Sequence, residues 1–175
     1  SKRRIIIKFN LYKEGGLKVH FVKKDGELPS EIKEYLEKKK FAYKFKESLY
    51  LPSFEEESEI FMGLGDDELD LEDVRNLFFE LGNILIDNEE HEVEIKMPDL
   101  GMCNRKTIMA AYEGLRQGEY EFTKKTSVKE KKADFEITVN YTAFKGPEEK
   151  LREGLDKIEN IMDGVFLARD LVNER

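Results

Sequence analysis

The sequence predicts an α/β, three-layer fold, a mixed β-sheet flanked by helices with a long C-terminal helix. Three observations lead there. Short runs alternate apolar and polar residues with period two, as half-buried strands do. From Ser58 onward these runs alternate with segments whose apolar residues recur every three or four positions, the spacing of amphipathic helices. No internal repeat or low-complexity linker breaks the 175 residues, a length that suits one domain with a real core. A single domain spanning 1–175 is therefore expected.

In chain order, "RIIIKF" (Arg4 to Phe9) is a β-branched strand, and "LKVHFV" sets Leu17, Val19 and Phe21 against Lys18 and His20. Glu14-Gly15-Gly16 between them predicts a hairpin turn. "LPSEIKEYLEKKK" reads as a short helix capped near Ser30, with Ile32, Tyr35 and Leu36 on one face. "FAYKFKESLYLP" returns to alternation, with Phe41, Tyr43 and Phe45 together and Pro52 closing it. "EIFMGLG" is a strand that runs into a glycine turn at Gly63 and Gly65. The next segment has an acidic start that complements a helix N-terminus. Its stripe is Leu71, Val74, Leu77, Phe78, Leu81 and Leu85.

"HEVEIKMP" (His91 to Pro98) is a strand again, through Val93, Ile95 and Met97. Asn104 is the expected cap of a helix carrying Ile108, Ala111, Tyr112 and Leu115 and ending at Gly118. "YEFTKKTSVKEKK" then reads as a strand tip and a basic loop. "DFEITVNYT" is a strand with Phe135, Ile137, Val139 and Tyr141 on one face. Pro147 suits the first turn of the last helix, where its missing N–H is harmless. Leu151, Leu155, Ile158, Met162, Val165, Ala168 and Val172 form one continuous stripe along it, so the helix is expected to pack along its own domain.

Composition narrows the function. The net charge is −8, with 38 acidic against 30 basic residues, and an acidic chain repels phosphate backbones. Apolar runs are too short for a membrane span or signal peptide. The single cysteine, Cys103, permits no internal disulfide and fits a reducing, cytoplasmic setting. Asn140-Tyr141-Thr142 spells a glycosylation sequon, but it sits inside a strand pattern and reads as chance.

Catalytic signals are sparse. His20 and His91 are far apart, and Ile95 stands where a zinc-protease helix would need its second histidine. Ser30 with Lys33 has the spacing of a nucleophile motif without its companions, and helix capping explains it. Cys103 reads as incidental. Gly63 and Gly65 sit where phosphate-binding loops sit, but Glu68 replaces the third glycine, and Asp66 and Asp67 repel a pyrophosphate. Lys124, Lys125, Lys129, Lys131 and Lys132 form a basic patch with no arginine or aromatic residue inside it, which reads as a solvated loop. The acidic clusters Glu55-Glu56-Glu57 and Glu89-Glu90 read as solvent-facing.

The closing segment carries a resemblance. "GVFLARDLVNE", with Gly164, Ala168, Arg169, Asp170, Leu171, Val172, Asn173 and Glu174, resembles the segment joining the two domains of cytosol (leucyl) aminopeptidases. "IFMGLGDDELDLEDVR" is similar to the family's strand, glycine turn and helix start. Glu113, Gly114, Gly118, Tyr120, Phe122 and Lys125 match its "EG-x-x-x-G-x-Y-x-F" stretch, while Thr126-Ser127 departs from its "Y-K-S". The likeness covers residues 58–175, and residues 1–57 show no matching motif.

The resemblance implies a macro-domain-like N-terminal domain, with the connecting helix at about 147–175. Catalysis in the family belongs to a C-terminal domain that holds two divalent metal ions (Zn, Mn or Mg) and carries an "NTDAEGR" signature absent here. The resemblance thus implies no catalytic residue, metal ligand or cofactor in this chain. It implies the chain's own catalytic domain and a homo-hexamer as partners, no membrane, and a cytoplasmic metallopeptidase parent that releases N-terminal amino acids. Arg175 is then expected to be a boundary inside a longer protein. The alternative is a macro-like nucleotide or ADP-ribose module whose ligand turn is Gly63 to Gly65. Nucleic-acid binding through the lysine patch, a side role of some bacterial members, is the third reading and is disfavoured by the charge.

Overall fold

The computed structural model describes residues 5–125, 134–143 and 146–173. Among these residues six strands form one sheet: β1 (Ile5–Leu11), β2 (Leu17–Val22), β3 (Ser48–Leu51), β4 (Glu59–Gly63), β5 (Glu92–Ile95) and β6 (Phe135–Tyr141). Their order is β1-β6-β5-β2-β4-β3. All neighbours run parallel except β3, which pairs antiparallel with β4. The sheet is mixed, as expected.

Four helices cover it: α1 (Ser30–Lys38), α2 (Leu71–Asp87), α3 (Asn104–Lys125) and α4 (Glu148–Asn173). Alternation along β4 separates the layers. Ile60 and Met62 enter the main core with the stripes of α2, α3 and the first half of α4. Phe61 joins Val22, Leu36, Phe41 and Tyr43 in a second core under α1 on the opposite face. Helices on both faces of a largely parallel sheet make the three-layer α/β arrangement.

Asp70 caps α2 through a reciprocal box, accepting from the Asp73 N–H at 2.8 Å while Asp73 accepts from the Asp70 N–H at 2.9 Å. The expected stripe of α2 is buried from Val74 to Leu85. Between α2 and α3, Gly114 allows close approach, because a Cβ there would lie 2.3 Å from the Arg75 carbonyl oxygen. The Arg75 Nε also donates to Glu113 at 2.9 Å. Between α3 and α4, the buried Arg116 meets Glu159 at 3.1 Å and Asp163 at 2.9 Å, and the Tyr112 hydroxyl donates to Glu159.

Several expectations need correction. The Gly15-Gly16 turn closes no hairpin. β1 pairs with β6 instead, and residues 12–16 carry the chain past β6 and β5 to a parallel β2. Both glycines have positive φ, and a Cβ on Gly16 would lie 2.6 Å from the Glu92 backbone. The buried Asn140 anchors this crossing. Its Nδ2 donates to the Gly15 carbonyl at 3.0 Å and to Glu92 at 2.8 Å, and its Oδ1 accepts from Asn10 at 3.0 Å.

Phe41, Tyr43 and Phe45 do not form a strand. Lys40, Tyr43 and Lys46 all have positive φ, so residues 39–47 fold as an irregular cover and β3 begins only at Ser48. Ser30 is the first residue of α1 and makes no side-chain cap, since Pro29 holds the cap position. Glu90 is not merely solvated, because it accepts a hydrogen bond from the Tyr50 hydroxyl. α3 does not stop at Gly118, where a Cβ would meet nothing within 4 Å, but continues to Lys125. Tyr120 to Lys125 are therefore helix rather than strand tip. Residues 126–133, including Lys129, Lys131 and Lys132, lie outside the described residues.

Candidate functional site

The glycine turn is the first position to locate. β4 ends at Gly63, whose N–H donates to the Glu47 carbonyl at 2.8 Å. The Leu64 N–H donates to Val22 at 3.0 Å and the Gly65 N–H to Tyr43 at 3.0 Å. The three successive donors that would cradle a phosphate are thus given to backbone carbonyls. A Cβ on Gly63 would lie 2.2 Å from the Lys44 carbonyl oxygen. Gly65, at φ +70°, lies against Phe45. The two glycines let the 39–47 cover lie directly on the strand end.

The connector residues lie at the far end of α4. The helix packs on the core through Leu151, Leu155 and Met162. Further along the helix, Leu167 is 62%, Leu171 58% and Val172 72% exposed, and Ala168 is exposed as well. Of the expected stripe, Leu151, Leu155 and Met162 are buried, whereas Ala168 and Val172 are exposed. Arg169, Asp170 and Asn173 belong to the helix, but their side chains lie outside the description, as does all of Glu174.

A cavity at the strand ends was not anticipated. β2 and β5 pair only at Leu17–Val93 and Lys18–Glu94, while β2 remains paired with β4 up to Val22. Beyond Lys18 the two strands part, and a crevice of about 870 Å³ opens between their carboxyl ends. This is where open α/β sheets characteristically offer binding sites, because chain connections leave in opposite directions on the two sides. Its walls come from Phe21 on β2 and from Met97, Leu100 and Met102 on the segment between β5 and α3. Glu27, Lys96 and Asp99 are charged and exposed around it. Thr107 is buried, and its hydroxyl donates to the Cys103 carbonyl at 2.9 Å.

That carbonyl also accepts the Thr107 N–H at 3.0 Å, so Cys103 holds the cap position of α3 and Asn104 is the first helical residue. The exposed Cys103 thiol has its pKa lowered. The Lys106 backbone N–H is the main cause, followed by the Arg105 N–H and both cationic side chains. Alkylation by iodoacetamide should therefore rise with pH through an inflection below that of the urea-unfolded chain, which lies at about 8.5. Coincident inflections in the two states would refute this.

The histidines serve separate contacts. His20 pairs with Glu59 at 2.9 Å and stacks on Phe61, and His91 donates from Nδ1 to the Glu136 carbonyl at 2.8 Å. Among the described residues no group of three or more His, Cys, Asp or Glu is gathered to hold a metal ion. No helix among the described residues is long and apolar enough to cross a membrane.

No protein-family model matches the chain. It is 35% identical over 170 residues to a protein of Treponema denticola named "Probable cytosol aminopeptidase". It is 32% identical over 177 residues to one of the same name from Clostridium tetani. Each match takes in 96% of this chain but only 35% and 36% of the relative, so the chain spans about a third of the length of these curated relatives. Among solved structures, a tomato leucine aminopeptidase mutant superposes with a TM-score of 0.75 over 98% of this chain and 39% of its own, at 16% identity. That likeness is one of fold.

Proposed function

We propose that this chain is the N-terminal, non-catalytic part of a metal-dependent leucyl aminopeptidase of the cytosol aminopeptidase family. The parent protein would release N-terminal amino acids from peptides in the cytoplasm, using two divalent metal ions held by a separate catalytic domain, and would assemble as a homo-hexamer. The observation that carries this reading is the match itself: nearly the whole chain aligns, yet it takes up about a third of the relatives. The exposed Leu167, Leu171 and Val172 on α4 support it, since a helix leading into another domain needs an apolar face that its own domain leaves uncovered.

The test compares this 175-residue chain with the parent protein on leucine p-nitroanilide. The parent should hydrolyse it, lose activity with a chelator and recover with Zn, Mn or Mg, and the chain alone should be inert. Metal-dependent hydrolysis by the 175 residues would overturn the proposal. The nucleotide alternative gains no support from the turn at Gly63 to Gly65, whose backbone donors are internally satisfied.

A further inference from the structure

We propose that the crevice between β2 and β5 binds a short, extended, apolar peptide with free termini. This goes beyond the peptidase reading, because it concerns binding by this chain itself. Its volume, about 870 Å³, lies in the range of small-molecule sites and is ample for a tripeptide. Three features select the ligand class.

The first is the parting of the strands. β2 keeps its partner β4 along one edge up to Val22 but loses β5 along the other after Lys18. Among the described residues no strand is paired with the crevice-facing edge of β2 past the Lys18–Glu94 bridge, and an extended peptide backbone supplies groups of the matching chemistry and spacing. The second is the wall. Phe21, Met97 and Met102 are partly buried around the opening, and methionine adapts to apolar side chains of varied shape. The third is the charge around it. Glu27 and Asp99 are acidic and Lys96 is basic, so a ligand of one sign meets repulsion somewhere. A peptide with an ammonium at one end and a carboxylate at the other has partners for both.

The experiment titrates the isotope-labelled 175-residue chain with trileucine and follows backbone amide shifts. Saturable shifts are expected at Phe21, Met97, Met102 and their neighbours. N-acetyl-trileucine amide should bind at least about tenfold more weakly, since losing a charge-assisted contact is worth roughly that factor. Lys96→Glu, an exposed change, should weaken trileucine by a similar factor while leaving the thermal melt unchanged. Met97→Asp should abolish the shifts. The proposal is overturned if trileucine gives no saturable shifts, if they fall outside the crevice, or if the capped peptide binds equally well. It is also overturned if inorganic phosphate saturates the same amides at lower concentration, which would make this an anion site. Since no hydrolysis is read, failure here is separate from failure of the aminopeptidase reading.

Discussion

Alanine at Gly114 is expected to destabilise the domain by about 3 kcal/mol, at the upper end for inserting a methyl group into a filled space. The new Cβ would sit 2.3 Å from the Arg75 carbonyl oxygen and 3.1 Å from the Phe78 Cβ. The first neighbour is helix backbone and cannot swing away. Relief requires α2 and α3 to separate, which loosens the packing around Leu77, Phe78 and Leu115. Urea melts followed by circular dichroism measure the effect. Gly118→Ala provides the control: it lies four residues on in the same helix, where a Cβ meets nothing within 4 Å. That change should be neutral or slightly stabilising, because alanine favours helix more than glycine does. Equal losses at the two positions would refute the close-approach account of Gly114.

The second large effect is expected at Asn140. Alanine there removes two donated hydrogen bonds and one accepted bond from a fully buried amide. The Gly15 carbonyl loses this donor, and Glu92 and Asn10 lose a partner on the sheet surface. A loss of about 3 kcal/mol is expected, less than three separate penalties because the exposed Glu92 can turn to water. Asp at this position should fare no better, since it offers no donor to Gly15 and sets a second carboxylate beside Glu92. Thermal or urea unfolding reads the loss. A change below about 0.5 kcal/mol, the ordinary range for surface positions, would show that the crossing loop does not depend on this hub.

These two residues show what the sequence carried and what it did not. β2 was predicted with its observed ends, the inward face of β6 with its observed residues, and that of α2 from Val74 to Leu85 without Gly82 and Ile86, because each has an uninterrupted period and one buried face. Gly114 was picked out only by resemblance. Its reason is the approach of α2, which no local pattern encodes. Asn140 carried a signal, an amide inside the apolar alternation of Phe135 to Tyr141, but its use depends on which loop passes over it. The same limit produced the false hairpin. Gly15-Gly16 records that the chain needs positive φ there, not which strand lies alongside. In residues 39–47 aromatic alternation imitated a strand, while the left-handed residues Lys40, Tyr43 and Lys46 carry ordinary side chains and give no warning. The crevice was invisible for a related reason: it exists where a strand pair ends, and pairing is a property of two distant segments.

The placement of β1 bears on how this domain assembles. Among the described residues its only neighbour in the sheet is β6, with Ile5 set against Phe135 and Leu11 against Tyr141. The five-residue crossing after β1 rests on Asn140 of that same strand. During synthesis the first strand therefore emerges long before its partner exists, and closing so large a loop is entropically slow. β2, β4 and α2 can gather around their own contacts meanwhile, but the edge of the sheet stays open until residue 141 has been made. β1 is therefore expected to complete its pairing only after β6 has been made.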